Sequence, residues 1–501
     1  MPTKAENISR HGTRRVLRAR YVFPVSAAPI ADGSITIDGE RIALPASKAA
    51  EAQAEDLGNV AILPGLINAH THLEFSNLAA PLGEPGMGFV EWIRLAVGYR
   101  QRTAAEASAI KHGLEESTRL GTTALGEIAQ PGWPVEDLQQ AKLDATVFLE
   151  LIAPTKARIP LALLLAREHL GRRATMTPFA ASGGEHLGRR ATMTPLSPRE
   201  SGTGGEGVAQ SSHEIILGQP ALGAGLPTPP NNVTWRPGLG PHAPYSVHPD
   251  LLARVVALSA EHRVPLAMHL AESQEELELL RCGRGPLRAR LEELGAWEES
   301  CQEPSSRTPL SPCGRGVGGE GAVQSNCGVV LGRPLHYLRM LAAAHRTLII
   351  HGNYLDAEEI AFLAAHAGRM TVVYCPRTHA FFRHAAYPLE KMLSAGVIVA
   401  LGTDSRASSP DLSVLAEMRR AAARHPTVSG ETLLKMATLH GAKALGLDHA
   451  LGSLEPGKSA DLAIVALPNR HAADPYDLLL NSNLPVVATW RRGVEIAKRL
   501  P

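Results

Sequence analysis

The chain has 501 residues, of which 44% are hydrophobic, so it can bury a core larger than that of one ordinary domain. Its 50 Lys and Arg side chains balance 49 Asp and Glu side chains, and this balance excludes a strong attraction to nucleic acid or to an anionic membrane surface. We therefore expect a small-molecule substrate, with no nucleic-acid or membrane partner.

The sequence also bears on the location of the chain. The basic N-terminal residues are not followed by an apolar segment, and no run approaches the roughly 18 apolar residues of a spanning helix. We therefore predict a cytoplasmic protein. The five cysteines are irregularly spaced and form no C-x-x-C pair, so no disulfide framework is expected.

Both ends of the chain show the pattern of short strands joined by turns. Near the N-terminus, Asp38-Gly39 reads as the turn of a hairpin, and the residues after 451 return to the same pattern. We predict that residues 1–62 and 452–501 together form a small β-sandwich domain.

The stretch from Leu63 to Ser76 reads LPGLINAHTHLEFS and places His70 and His72 one residue apart. Side chains of a strand alternate between its faces, so both imidazoles project to one side, about 6 to 7 Å apart at Cα. Two imidazoles in this arrangement can bind zinc, iron or nickel. The alternative is a half-buried strand that binds no metal, because so short a pattern also arises by chance.

Residues 63–451 alternate between strand and helix patterns, which favours parallel strands. Helical patterning covers residues 89–120, and strands follow at 123–128 and 144–152. The five later strands end at or near His242, His269, His351, Cys375 and Asp404. These five strands, the two at 123–128 and 144–152, and the strand that ends at His72 make eight. We predict an α/β fold, a (β/α)8 TIM barrel, whose catalytic face lies at the carboxyl ends of the strands.

Two segments interrupt this alternation. EHLGRRATMTP occurs at 168–178 and again at 185–195, and a Gly- and Ser-rich segment at 194–212 recurs in related form at 308–326. Such segments offer little to bury, so we predict flexible insertions at 168–212 and 301–327 without a catalytic role. The alternative is a basic binding tail formed by Arg172, Arg173, Arg189 and Arg190.

Two carboxyl groups at strand ends are candidates for acid–base chemistry. Glu272 precedes Ser273, which has the spacing of a helix cap with Glu276, so Glu272 is expected in the loop that faces the pocket. There it can transfer protons. Asp404 follows an apolar strand and is free to act as ligand and base. A single polar residue at a strand end is usually structural, whereas five such ends on one barrel favour an active site.

Near the C-terminus, residues 452–459 read GSLEPGKS and satisfy the phosphate-loop pattern G-x-x-x-x-G-K-S. A phosphate loop must be followed by a helix, but the next residues, ADLAIVAL, are typical of a strand. We therefore expect a hairpin with Pro456-Gly457 in its turn and no nucleotide triphosphate binding.

The motifs NAHTHLEFS, PHAPYS, MHLAES, HGNYL and GTDSRAS occur in that order. As a set they resemble the amidohydrolase superfamily, in particular its deaminase and chlorohydrolase branch, and the resemblance covers the chain outside the two insertions. It implies one divalent metal, most simply zinc with iron or nickel as alternatives, and no lysine is present at the end of the fourth strand to hold a second metal. The implied ligands are His70, His72, His269 and Asp404. Glu272 is expected to move protons, His351 to hydrogen-bond to the attacking water or the leaving group, and His242 to contact substrate.

The same resemblance implies hydrolytic removal of an exocyclic amine from an adenine-type nucleoside such as methylthioadenosine, adenosylhomocysteine or aminofutalosine. His242, Tyr245, Trp92 and Arg377 are expected to line the mouth of the pocket, although the two aromatic residues are equally able to pack helix against barrel. Guanine deamination, triazine dechlorination and imidazolone ring opening remain open, as do a catalytically silent scaffold and a homodimer.

Overall fold

The computed structural model describes residues 14–45, 47, 52–103, 107–172, 235–297 and 332–499. The strands of these residues, in chain order, are β1 (Arg15–Arg18), β2 (Tyr21–Val22), β3 (Ile30–Ala31), β4 (Ser34–Asp38), β5 (Arg41–Ile42), β6 (Glu55–Asp56), β7 (Val60–Pro64), β8 (Leu66–Thr71), β9 (Thr122–Ala129), β10 (Asp144–Leu151), β11 (Trp235–Pro241), β12 (Pro265–Leu270), β13 (Arg346–His351), β14 (Met370–Tyr374), β15 (Val399–Leu401), β16 (Leu462–Ala466), β17 (Val486–Arg491) and β18 (Val494–Lys498).

The α-helices of the same residues are α1 (Phe89–Thr103), α2 (Ala107–Arg119), α3 (Val135–Gln139), α4 (Ile159–Gly171), α5 (Pro249–His262), α6 (Gln274–Cys282), α7 (Pro286–Glu293), α8 (Pro334–Leu341), α9 (Ala357–Ala365), α10 (Pro376–Phe381), α11 (Leu389–Ser394), α12 (Val414–Arg424), α13 (Gly430–Ala437), α14 (Leu439–Leu445) and α15 (Pro475–Leu480). Single 3-10 turns lie at Leu73–Phe75 and Lys156–Arg158.

The strands β8 to β15 form one eight-stranded parallel sheet in which neighbours in the chain are neighbours in space. The sheet closes where the first strand meets the segment after the last, through a parallel bridge between Thr71 and Asp404. The Asn68 amide strengthens this closure, because it donates to Thr403 Oγ1 at 2.7 Å and accepts from the backbone N–H of Thr403 at 3.1 Å. The predicted barrel and its eight strands are confirmed.

Two smaller antiparallel-rich sheets combine strands from both ends of the chain. One has the order β5-β4-β1-β6 and the other β18-β17-β16-β7-β2-β3. They share a buried core, in which Leu17 and Ile37 of the first sheet pack with Ile62, Leu462 and Trp490 of the second. The predicted sandwich of both chain ends therefore has a physical basis, while its boundaries at residues 62 and 452 stay predictions.

The phosphate-loop pattern lies in this smaller domain. The backbone N–H of Gly457 donates to the Ile42 carbonyl at 2.9 Å, and the Ile42 N–H donates to the Lys458 carbonyl at 2.9 Å. The segment therefore pairs with β5 and is followed by the strand β16, not by a helix. This geometry agrees with the expected turn.

The predicted insertions lie almost entirely outside the described residues. Residues 168–171 complete the helix α4, so the regular structure runs slightly beyond the predicted boundary at 168. Residues 173–212 and the whole of 301–327 lie outside the described residues. Among the helices of the described residues, none has both the length and the apolar character needed to cross a bilayer.

Candidate metal centre and active site

Four predicted ligand side chains meet at the carboxyl ends of the barrel strands. His70 Nε2 lies 3.6 Å and His72 Nε2 lies 3.8 Å from Asp404 Oδ1. His269, from the opposite side of the barrel, places its Nε2 at 3.4 Å from His72 Nε2. All four side chains are buried. Strands far apart in the sequence therefore bring three imidazoles and one carboxylate to a single point.

The chemistry of these side chains fits a bound cation. Both ring nitrogens of His70 are buried without a hydrogen-bond partner among the described residues. His269 Nδ1 lies 3.1 Å from the carbonyl oxygen of His242 and must donate to it, so a neutral His269 presents a lone pair at Nε2. Burial lowers the pKa of His72 and His269 well below the ordinary value, which keeps both imidazoles in the neutral form that binds metals. Three imidazoles and one carboxylate are donors that suit zinc.

The backbone is strained around this cluster. Asp404, His351 and Ala271 adopt φ values of +57°, +68° and +54°, in the left-handed region that costs a non-glycine residue about 1 to 3 kcal/mol. Each follows or ends a barrel strand. The hydrogen bonds that close the barrel oppose this strain at Asp404, whose N–H donates to the His70 carbonyl at 3.1 Å and whose carbonyl accepts from the His72 N–H at 3.0 Å. Closure of the barrel and placement of the carboxylate are thus one structural feature.

The Asp404 carboxylate divides its two oxygens between different partners. Oδ1 faces the histidine cluster, while Oδ2 accepts a hydrogen bond from Ser408 Oγ at 2.7 Å. Burial alone would raise the pKa of Asp404, but the adjacent imidazoles of His70 and His351, together with the hydrogen bond from Ser408, hold it below its usual value. The side chain is therefore an anion at neutral pH, as a ligand or base must be.

Glu272 lies beside the cluster and has the opposite character. The backbone N–H of Glu272 donates to the Glu276 carboxylate at 2.8 Å, and the Glu272 carbonyl accepts from Asn353 Nδ2 at 2.8 Å. Its Oε1 lies 3.4 Å from His351 Nε2. Burial, and then the negative charge of Asp404, raise the pKa of Glu272 well above its ordinary value. These surroundings favour the protonated form of Glu272, the form that can donate a proton.

A group of buried acidic residues behind the site was missed by sequence reasoning. Both carboxylate oxygens of Glu127 accept from the backbone N–H of Leu73 at 3.1 Å, which holds the turn that follows His72. Arg100 lies 2.6 Å from Glu74 and 3.4 Å from Glu150. The available signal was an acidic residue inside each of two otherwise apolar strands, TTALGEIA and DATVFLEL.

This group also contacts the predicted substrate residue His242. His242 Nδ1 lies 2.7 Å from Ser246 Oγ, which accepts from the Ala243 N–H at 3.2 Å. Where the serine hydroxyl donates to Nδ1, the proton of neutral His242 lies on Nε2, the nitrogen 3.9 Å from Glu150 Oε1. His242 then presents an N–H group at the edge of the site.

A cavity of about 390 Å³ opens onto the cluster, within the usual range for a small-molecule pocket. Three of the four residues predicted to contact substrate, namely His242, Tyr245 and Trp92, line it. Trp92 Nε1 donates to the Ala407 carbonyl at 3.1 Å, which fixes the indole. One face each of α1 and α7 completes the walls, and the contribution of α7 was missed by sequence reasoning.

The structure does not place Arg377 on the wall of this cavity, so the expectation that it contacts substrate is corrected. Its guanidinium bonds to Glu417 at 2.6 Å and to Asp411 at 2.7 Å, and its backbone N–H donates to Glu417 Oε2 at 2.8 Å. Glu417 is fully buried and needs this cation. Arg377 thus ties the start of α10 to α12.

A parallel eight-stranded barrel with imidazoles and a carboxylate converging at the carboxyl ends of its strands is the architecture of metal-dependent barrel hydrolases. The sequence identifies the group more closely. Residues 61–497 match the amidohydrolase family, and the chain belongs to that family.

The chain is also similar to individual proteins. It is 26% identical over 477 residues to a 5-methylthioadenosine/S-adenosylhomocysteine deaminase of Moorella thermoacetica, covering 92% of this chain and 87% of that protein. Its fold is similar to that of Helicobacter pylori aminofutalosine deaminase in complex with methylthio-coformycin, with a TM-score of 0.69, 21% identity and coverage of 96% and 100% of the two chains. Atrazine chlorohydrolase of Arthrobacter aurescens TC1, complexed with zinc, has a TM-score of 0.66 at 18% identity and coverage of 96% and 95%.

Proposed function

We propose that the protein is a metal-dependent aminohydrolase that removes the exocyclic amine from an adenine-type nucleoside with a substituted 5′ position. The observation that carries the proposal is that two carboxyl groups lining one cavity have surroundings of opposite effect, which lower the pKa of Asp404 and raise the pKa of Glu272. Hydrolytic deamination needs both a base for the attacking water and an acid for the ring. The name of the Moorella relative agrees with this chemistry.

His70, His72, His269 and Asp404 would hold one divalent ion, which we propose to be zinc. When bound, such an ion supplies Lewis acidity and lowers the pKa of a coordinated water to about 7. Contacts outside the cluster orient these ligands, namely the bond from His269 Nδ1 to the His242 carbonyl and the bond from Ser408 to Asp404. The alternatives of iron and nickel use the same ligands.

The protein side chains would then move the protons. Glu272 gives its proton to the ring nitrogen next to the reacting carbon, which makes that carbon more electrophilic. Asp404 accepts one proton from the attacking water and passes it to the departing amine, and the second proton of that water returns to Glu272 as the carbonyl forms. Water is thus consumed, ammonia is released and both carboxyl groups recover their starting states. We propose that His351, whose Nε2 lies 3.4 Å from Glu272 Oε1, hydrogen-bonds to the attacking water or on the leaving-group side.

The cavity walls supply the contacts for the rest of the substrate. The fixed indole of Trp92 presents an aromatic surface, and Tyr245 packs edge-on against His242 with ring centroids 5.7 Å apart. With its proton on Nε2, His242 would offer an N–H group to a ring or ribose oxygen or nitrogen. We propose that these three residues select a nucleoside over a free base. The cytoplasmic location and the homodimer stay predictions.

The test is ammonia release by the purified protein from adenine, guanine, adenosine, methylthioadenosine, adenosylhomocysteine and aminofutalosine, with chloride release from atrazine measured in parallel. The proposal expects the 5′-substituted nucleosides to have the highest kcat/KM. Glu272→Gln, prepared in the same way, controls for contaminating deaminases. Higher kcat/KM for a free base, or chloride release alone, would contradict the proposal.

A further inference from the structure

The outer part of the cavity is formed by two helices that turn apolar faces toward it. From α1 it receives side chains with the spacing i, i+3, i+4, i+7 and i+8: Phe89, Trp92, Ile93, Ala96 and Val97. From α7 and the residue after it come Leu287, Leu291 and Leu294, again one helical stripe. The substrate portion that leaves the catalytic cluster thus passes between apolar walls.

Three guanidinium groups interrupt these walls: Arg100, Arg158 and Arg290. Arg100 is neutralised by its ion pairs with Glu74 and Glu150. Arg158 and Arg290 are the two groups that can meet a ligand in the outer cavity.

Arg158 is exposed, and its guanidinium forms no hydrogen bond or ion pair with the described residues. Arg290 is better defined. Its side chain is only 15% exposed, its Nη1 bonds to Glu293 at 2.9 Å, and its Nε is buried without a partner among the described residues. Glu293 also accepts from Arg94 at 2.9 Å, and Arg94 pairs in turn with Glu91 at 2.8 Å, so two guanidinium groups share two carboxylates. The charge of this network is balanced, and what Arg290 keeps for a ligand is N–H groups that donate to no described residue.

The described lining has no acidic group in the outer cavity to balance the charge of Arg158. Its carboxyl groups are Glu272 and Asp404, and both belong to the catalytic cluster. A ligand carboxylate would find the N–H donors of Arg290 and the unpaired positive charge of Arg158. An ammonium group in the same place would lose water and gain no counter-ion, which is costly.

We propose that the outer cavity binds a 5′ substituent that is apolar next to the ribose, ends in a carboxylate and carries no ammonium group, with Arg290 as its main anchor. This inference rests on the proposed deaminase function and concerns only the choice among its substrates. The outer cavity would then favour an anionic 5′ substituent over the neutral methylthio group and over the zwitterionic amino acid of adenosylhomocysteine.

A matched series of substrates tests the inference on the unmodified protein. The series consists of methylthioadenosine, 5′-(3-carboxypropylthio)adenosine, the methyl ester of that acid, and adenosylhomocysteine, which differs from the acid by the ammonium group alone. A hydrogen bond to a charged group is strong enough that we expect the kcat/KM of the acid to exceed those of its ester and of adenosylhomocysteine by about tenfold or more.

Variants then assign the effect to a residue. Arg290→Met should reduce the ratio of kcat/KM for acid over ester by about tenfold, mainly through KM for the acid, and Arg290→Lys should restore part of the ratio. Arg288→Met is the matched control, because Arg288 lies on the same helix, pairs with Glu292 at 2.9 Å and does not line the cavity. It should leave the ratio unchanged.

The possible failures are distinguishable. Equal kcat/KM for acid, ester and zwitterion, or a preference for adenosylhomocysteine, would overturn the inference and leave the deaminase function standing. No ammonia from any nucleoside of the series would overturn the proposed function itself. If Arg290→Met does not fold, the substrate series on the unmodified protein still decides whether the arm is anionic, and Arg158→Gln tests the second guanidinium.

Discussion

Ser408 is the residue whose replacement most directly tests how the site holds its carboxylate. Its hydroxyl donates to Asp404 Oδ2 at 2.7 Å and is 1% exposed, so water does not readily replace it. Ser408→Ala removes this hydrogen bond without removing a ligand. The Asp404 carboxylate should then be less well oriented for the ion.

The size of the effect follows from the charge on the acceptor. A hydrogen bond to an ionised group contributes about 1.5 to 3 kcal/mol. If this contribution is realised in the metal-bound state, its loss weakens metal affinity by about 10- to 100-fold, in the range observed for partners of metal ligands. The fold should survive, because the hydroxyl of Thr378, 2.9 Å from Ser408, keeps a second neighbour in Ser409 at 3.4 Å.

The assay is a metal titration of chelator-stripped protein in competition with a chromophoric chelator. Ser409→Ala is the matched control, because Ser409 is also buried and its hydroxyl, which bonds to Thr378, forms no hydrogen bond with Asp404 in the described part of the chain. An affinity in Ser408→Ala equal to that of the parent, or an equal loss in both variants, would refute the reasoning.

Three further predictions follow from the site and its surroundings. Glu272→Gln should keep the bound metal and lose activity, whereas His269→Ala should lose both metal and activity. Metal analysis and ammonia release, measured on the same samples, separate the two variants, and equal metal loss in both would make Glu272 a ligand. Because burial raises the pKa of Glu272 and the protonated form is the donor, kcat should fall as the pH rises through that pKa, and a flat alkaline limb would contradict this role. Arg377→Met leaves the buried Glu417 unpaired and should lower the free energy of unfolding by about 3 to 5 kcal/mol in urea titrations, while exposed Arg420→Met should change it little.

The barrel and the cluster were accessible from the sequence because both obey local rules. Alternation along a strand put His70 and His72 on one face, and the rule that barrel sites lie at carboxyl ends of strands joined them to His269 and Asp404. These rules need only the order of strands. They do not need the details of packing.

The remaining features depend on pairs that no local rule connects. Arg377 was expected at the pocket, but its partner Glu417 lies 40 positions later and is buried by helix packing. Glu150 reads as an unusual residue in a strand, and only the fold shows that Arg100 neutralises it. The residues of α7 that line the cavity, Arg290 among them, recur with helical spacing in the sequence. Only the tertiary structure shows that this face of the helix points into the cavity.

The central claim is that one bound metal and this cluster together deaminate a nucleoside. The direct measurement is ammonia release from methylthioadenosine by chelator-stripped protein, before and during addition of zinc, with metal per chain determined on the same samples. We predict no release from the stripped protein, full recovery when one metal is bound per chain, and no recovery in His269→Ala. Full activity without metal, or recovery only at two metals per chain, would contradict the account.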